Sequence, residues 1–471
     1  MNRRILLYLL IIGVFGGLSW WIIREGQHLP FKALVPPSHA TLLGGSFNWR
    51  QLFDNVKHPL SILLIQVIVI MLASRFFSWL AGTIRQPAVV GEVVAGICLG
   101  PSLLGWLAPD VFAFLFPSQG LSSLQFLSQI GLTFFMFVIG MELDTHQVKT
   151  KAHDAIMISH VSIVFPFFLG ITLSYFLFNR FAPANVSFLS FSLFMGIAMS
   201  ITAFPVLARI VQERKLGGTP LGILAITCAA ADDVTAWCIL AVVVAIVKAS
   251  GLWSAAVTIV LALVFVVAMI KWVKPWLQRT EQRLSAKGGD KAVISLIFLV
   301  LLASACVAEI IGIHALFGAF LAGVIMPDKV EIKHKLTDKV EDISVLVLLP
   351  IFFAFTGLRT HIGLLSQGHL WTVFGLVMLV AVGGKLGGST ITAKLVGQNW
   401  TDALAIGALM NTRGLMELIV LNIGYDLGIL SPEIFAILVL MAIATTFMTG
   451  PLLDLVDRLG SAQMSHSRSS L

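Results

Sequence analysis

The chain has 471 residues, of which 58% are hydrophobic and only 12% charged, with a net charge of +7 and a mean hydropathy of +0.94. Soluble domains carry about 25% charged residues, so this chain cannot cover a water-facing surface, which excludes a soluble enzyme, a nucleic-acid-binding protein and a disordered scaffold. Its apolar residues run in long blocks rather than alternating, which excludes a membrane β-barrel and leaves an all-α polytopic membrane protein.

A helix needs about 20 apolar residues to cross a bilayer. In chain order the candidate segments are 5–23, 60–80, 88–104, 124–141, 154–178, 188–208, 220–247, 252–273, 291–311, 314–326, 342–358, 370–394, 402–424 and 434–456. The first follows Arg3 and Arg4 and has no A-x-A cleavage site after Trp20-Trp21, so it reads as a retained helix rather than a signal peptide. The segments 314–326 and 342–358 are short and read as tilted or interrupted helices. The chain thus divides into an N-terminal helix with an external loop (1–59), a transmembrane domain (60–456) and a short Ser-rich tail (457–471). With the N-terminus in the cytoplasm, alternating spans place 22 of the 31 Lys and Arg on the cytoplasmic side and 7 outside, with Lys385 and Arg413 inside spans. That bias has the sign of the positive-inside rule, accounts for the basic balance without nucleic acid, and puts the C-terminus in the cytoplasm as well. Cys98, Cys228, Cys238 and Cys306 lie in apolar stretches without metal-ligand spacing and read as buried thiols. His160 and His314 are lone span histidines and read as packed or hydrogen-bonded rather than ligating.

Ionisable residues near a span's centre cost about 2.5–3.5 kcal/mol each on insertion scales, so they persist only where paired, hydrated or useful. Asp232 and Asp233 stand at the middle of 220–247, Lys385 lies within 370–394, and Arg413 and Glu417 are mid-span in 402–424. Arg413 and Glu417 are spaced i,i+4 and read first as a self-neutralising helix pair, with a direct part in transport as the other reading. Glu92 and Glu309, nearer the ends of their spans, read as structural or interfacial. The adjacent aspartates differ, because one lysine cannot neutralise both. Carboxylates are hard oxygen ligands suited to small cations, and two of them side by side at mid-membrane invite a proton to compete with the cation.

Two spans carry backbone-breaking sequence at the same depth: Ser200-Ile201-Thr202-Ala203-Phe204-Pro205 in 188–208, and Met410-Asn411-Thr412-Arg413-Gly414 in 402–424. Pro205 removes a helix hydrogen bond and frees a carbonyl; polar residues with Gly suggest unwinding. Interrupted helices in corresponding positions of two halves point to a transporter's midplane site. Thr202 is the expected extra cation ligand there, with Ser200, Asn411, Arg413 and Glu417 as supporting residues.

These residues, with Gln86-Pro87 through Gly91-Glu92 to Leu99-Gly100-Pro101-Ser102, Gly140-Met141-Glu142-Leu143-Asp144 and Gly312-Ile313-His314-Ala315-Leu316-Phe317-Gly318-Ala319-Phe320, make the chain resemble the second cation/proton antiporter family, including plant cation/proton exchangers and bacterial sodium/proton antiporters. The resemblance spans 60–456. It implies thirteen helices in a core and a dimerisation domain with an inverted repeat and two crossed broken helices, to which 5–23 is an addition. It implies that Asp233 carries cation and proton, that Asp232 occupies the position that is Asp in electrogenic members, that Thr202 lies at the helix break, and that Lys385 pairs with Asp232. Plant exchangers generally carry Asn where this chain has Asp232. The family's potassium-efflux members carry a cytoplasmic nucleotide-binding domain, and the expectation is that the short tail after residue 456 holds none.

The expectation is a homodimeric, lipid-embedded antiporter of a bacterial inner membrane. It would exchange Na⁺ or K⁺ for protons electrogenically, with no cofactor, no resident metal, no nucleic-acid partner and no enzymatic activity. The rival is a ligand- or pH-gated cation efflux channel on the same fold.

Overall fold

The computed structural model describes residues 58–84, 86–117, 120–142, 152–248, 252–285, 290–326, 343–366 and 368–469, together with Trp20, Trp21, Arg24 and Val56. Most of the segment 5–23, the loop after it and the lysine-rich stretch 327–342 lie outside the described residues.

Among the described residues the regular elements are all helical. In order they are α1 (Pro59–Thr83), α2 (Ala88–Leu99), the short α3 (Leu104–Leu107) and α4 (Pro109–Leu115), α5 (Leu121–Glu142), α6 (Ala152–Phe181), α7 (Phe188–Ser200), α8 (Phe204–Glu213) and α9 (Pro220–Lys248). Then follow α10 (Leu252–Ala268), α11 (Lys274–Ser285), α12 (Asp290–Ile311), α13 (Ala315–Val324), α14 (Leu349–Leu358), α15 (Gly368–Val382), α16 (Gly388–Leu395), α17 (Trp400–Met410), α18 (Leu415–Asp426) and α19 (Pro432–Ser469). Turns of π-helix at Met269–Val273 and Gly383–Gly387 join α10 to α11 and α15 to α16, and a third, Ser344–Leu348, leads into α14. Among the described residues eleven helical stretches are long and apolar enough to cross a membrane, and α7 and α13 are shorter apolar helices. Each segment expected between 60 and 456 has a helical counterpart.

Local chemistry sets the helix starts. Pro59 and Pro432 sit in the first turn, where a missing N–H costs nothing. Ser187 caps α7 by accepting from the Ser190 amide at 3.1 Å, and Asn399 caps α17 by accepting from the Asp402 amide at 2.7 Å. Glu309, expected to be structural, accepts from the Ala315 amide at 2.8 Å and so tethers the start of α13, with Lys248 3.6 Å away. The cysteine expectation holds for Cys228, which is buried, but Cys238 and Cys306 are exposed on apolar helix faces that suit lipid as well as a core.

Packing sorts the helices into two neighbourhoods. In one, α1 packs on α2, α2 and α5 on α14, α5 on α13, and α13 on α12. In the other, α6 packs on α7, α9 and α16, α16 on α17, and α17 on α19. The buried ionisable side chains of mid-span belong to this second neighbourhood. Lys385 and Arg413 are among the largest fully buried side chains described, in the company of Phe137, Phe191 and Phe194.

Candidate functional site

Two expected breaks are present and they touch. The first separates α7 from α8 at Ile201-Thr202-Ala203, and Pro205 lies in the first turn of α8. The second separates α17 from α18 at Asn411 to Gly414. Gly414 has φ +149°, a conformation open to glycine at little cost. The Ala203 amide donates to the Thr412 carbonyl at 3.0 Å, and the Thr202 hydroxyl lies 3.2 Å from the Met410 carbonyl, so each extended strand supplies partners the other lost on leaving the helix. Helix α19 braces the crossing: Thr446 donates to the Arg413 carbonyl at 2.6 Å, and the Thr412 and Thr449 hydroxyls are 3.2 Å apart.

Breaking two helices creates four charged ends at mid-span. Arg413 serves one of them, donating to the carbonyls of Ala198 and Met199 at 2.6 and 2.7 Å, the C-terminal end of α7. Its ion pair with Glu417, at 3.1 Å, places the carboxylate in the first turn of α18, the positive end of that half-helix. Both side chains are completely buried. The self-neutralising i,i+4 pair of the sequence is therefore also a clamp between the breaks.

Helix α9 runs unbroken past the crossing and carries both aspartates, Asp232 with 0% and Asp233 with 1% of its surface exposed. Their surroundings are opposite. Asp232 accepts from Ser159 at 2.6 Å, from Ser162 at 2.8 and 3.0 Å, and from Thr202 at 2.8 Å, and it pairs with Lys385 at 2.9 Å. Lys385 also reaches Ser162 at 3.3 Å. Neither oxygen of Asp233 has a hydrogen-bond partner, although the Phe204 amide at the start of α8 approaches its carboxyl. One carboxylate is thus saturated and countercharged, while its neighbour is bare beside the positive end of a half-helix.

The structure brings Asp232, Asp233, Thr202 and Lys385 together as expected. Ser200 is not brought in: its hydroxyl turns back to the Gly196 carbonyl at 2.7 Å within α7. Asn411 is completely buried at the second break, with neither end of its amide partnered. Ser159 and Ser162 of α6, and Thr446 and Thr449 of α19, escaped sequence reading. They are small hydroxyl residues three apart within otherwise apolar spans, a pattern that self-satisfied serines and threonines share. Lys385 reaches the site from the π-turn Gly383–Gly387, where a locally widened helix turns it inward. Among the described residues no cluster of three or more His, Cys, Asp or Glu forms a metal site.

Residues 69–456 match the family model described as sodium/hydrogen exchanger, transmembrane. The chain is 44% identical over 397 residues to the Na(+)/H(+) antiporter NhaS4 of Synechocystis, covering 84% of this chain and 97% of that protein. It is 40% identical to cation/H(+) antiporter 17 of Arabidopsis thaliana, covering 86% of this chain and 50% of the relative. It is 33% identical to K(+)/H(+) antiporter 1 of Saccharomyces cerevisiae, covering 88% and 49%. The chain therefore spans about half the length of these plant and yeast relatives. In structure it is similar to the sodium proton antiporter MjNhaP1 of Methanocaldococcus jannaschii, with a TM-score of 0.58 at 13% identity over 86% of this chain and 98% of that one. That likeness extends the agreement to the fold over most of the chain, and on the family match the chain belongs to the sodium/hydrogen exchangers.

Proposed function

We propose that this chain is a secondary antiporter that exchanges a monovalent cation, Na⁺ or K⁺, for protons across a membrane, and that Asp233 is the group where cation and proton exclude one another. The observation that carries the reading is the contrast between the aspartates. A carboxyl group with both oxygens unpartnered, fully buried beside the N-terminus of a half-helix, is ready to hold either a proton or a cation. Asp232, Thr202 and the carbonyls near the break supply the remaining oxygen ligands.

Lys385 sets the charge balance. With Asp232 and Lys385 as an ion pair, a protonated Asp233 leaves the site neutral. A cation entering between the two carboxylates displaces the Asp233 proton and competes with Lys385 for Asp232. If Lys385 also releases its proton, one cation exchanges for two protons and the cycle moves one net charge. The relatives named as antiporters favour exchange over a gated channel. We place the protein in a bacterial inner membrane with both termini in the cytoplasm, following the Lys and Arg bias. We also read it as a homodimer. The spans Pro59–Thr83 and Ala256–Leu284 bury the least of their surface and are the faces left for lipid or a second copy.

The test is proton movement in proteoliposomes, followed with a pH-sensitive dye on adding NaCl, KCl, LiCl or choline chloride. Saturable proton release with one or more of the alkali cations and none with choline is expected. Cation flux without coupled proton movement would turn the reading to the channel.

A further inference from the structure

Asn411 is the residue at the crossing that the proposed cycle leaves without work. Its side chain is completely buried, and neither its carbonyl oxygen nor its amide nitrogen has a partner. Leaving a buried amide unsatisfied is costly, so a partner is to be expected in another state of the protein.

Its position identifies that partner. Helices α16 and α17 are joined by the short connection 396–399 and run antiparallel. Gly407 lies against α16, with the Leu386 carbonyl 2.8 Å from where a Cβ on Gly407 would stand and the Thr390 side chain crowding the same point. One turn further toward the break, Asn411 therefore comes level with residues just before Leu386. Those residues form the π-turn Gly383–Gly387, against which α17 packs, and Lys385 is at its centre. The preceding residue closes the circuit: the Met410 carbonyl is near the Thr202 hydroxyl, which donates to the same Asp232 oxygen that holds Lys385.

We propose that Asn411 is the second partner of Lys385, a positioning residue that receives the lysine when Asp232 turns to the transported cation. The inference rests on the antiporter reading of this site and adds to it the place where the counter-ion goes. An amide suits the task because it accepts from an ammonium through Oδ1 and donates to a neutral amine through Nδ2. It can therefore serve the lysine in either protonation state. Without it, releasing Asp232 would leave Lys385 buried and unpartnered, and the cation would have to compete against an intact ion pair.

A double-mutant cycle on the purified full chain tests this. The readout is the cation-dependent rise in thermal unfolding temperature with NaCl or KCl against choline chloride, which reports binding even in a variant that does not transport. Asn411→Leu in the wild-type background is expected to weaken apparent cation affinity about tenfold, whereas the same change in a Lys385→Met background moves it less than about twofold. An equal loss in both backgrounds would overturn the proposal, because Asn411 would then act without Lys385, for instance as a direct cation ligand. No loss in either background overturns it too. If Asn411→Leu does not accumulate as folded protein, Asn411→Ala removes the amide without adding bulk and is read on the same cycle. A wild-type protein that neither cation stabilises sinks the antiporter reading itself, whatever the cycle returns.

Discussion

Asp232 and Asp233 are adjacent, equally buried and chemically identical, yet one has four side chains on it and the other has none. Successive residues on a helix differ by about 100° in direction, so Asp232 meets α6 and the Lys385 turn while Asp233 faces the start of α8. From this follows the sharpest expectation at this scale: Asp233→Asn, which keeps the shape but cannot exchange a proton, abolishes cation-dependent proton movement in proteoliposomes while the protein still inserts. Normal exchange by that variant removes Asp233 from its role. Thr202 acts on the neighbouring carboxylate. Hydrogen bonds to charged groups contribute about 1.5–3 kcal/mol, so Thr202→Val is expected to raise the apparent cation KM by about tenfold or more, with a smaller change in maximal rate. An unchanged KM in a titration of exchange rate against cation concentration leaves Thr202 a packing role. The aspartates and the lysine were legible in the sequence because charges at mid-span are costly and stand out, and Thr202 because it lies in the helix break beside Pro205. Ser159 and Ser162 were not, because a serine in an apolar helix can satisfy itself on its own backbone, as Ser200 does at Gly196, and nothing in the chain distinguishes the two cases.

Among the elements, the broken helices are built to make unwound backbone tolerable in a low-dielectric interior. Partners come from the opposite break, from Arg413 and from the threonines of α19. Arg413 is the costliest of these to remove, since its loss strands Glu417 and two carbonyls together. Removing one partner of a buried ion pair destabilises by about 3–5 kcal/mol, whereas replacing both by apolar residues is often close to neutral. Arg413→Met is accordingly expected to lower the unfolding temperature of the purified protein markedly, and Arg413→Met with Glu417→Met to recover part of the loss. A double variant no better than the single would mean that Arg413 works chiefly through the α7 carbonyls, with Glu417 a bystander. The breaks were visible beforehand through Pro205 and the polar run ending in Gly414. The π-turn that carries Lys385 was not: the Gly-rich Gly383-Gly384-Lys385-Leu386-Gly387 reads as a weak helix, and nothing in it marks a widened turn.

For the molecule as a whole, the hydropathy blocks were enough to place the long apolar helices between 60 and 456, since a membrane admits little besides helices and closed barrels, but not the short α4 or the charged α11. What the blocks could not supply is which helices meet. That depends on side-chain packing between segments far apart in sequence, such as α9 with α6 or α17 with α19. The same arrangement governs how the protein as a whole would feel the membrane potential. In the proposed cycle two groups give up protons, Asp233 and Lys385, and one cation enters between the two carboxylates. Exchange of one cation for two protons carries one elementary charge per cycle, and 100 mV then biases each cycle by about 2.3 kcal/mol. An imposed potential alone should therefore drive cation flux through proteoliposomes at zero pH gradient, and the direction of flux should reverse when the potential is reversed. The Lys385→Met variant, if it still exchanges through Asp233, should trade one cation for one proton and ignore the potential. Wild-type flux that is indifferent to the imposed voltage would make the exchange electroneutral, with Lys385 keeping its proton throughout as the fixed counter-ion of Asp232.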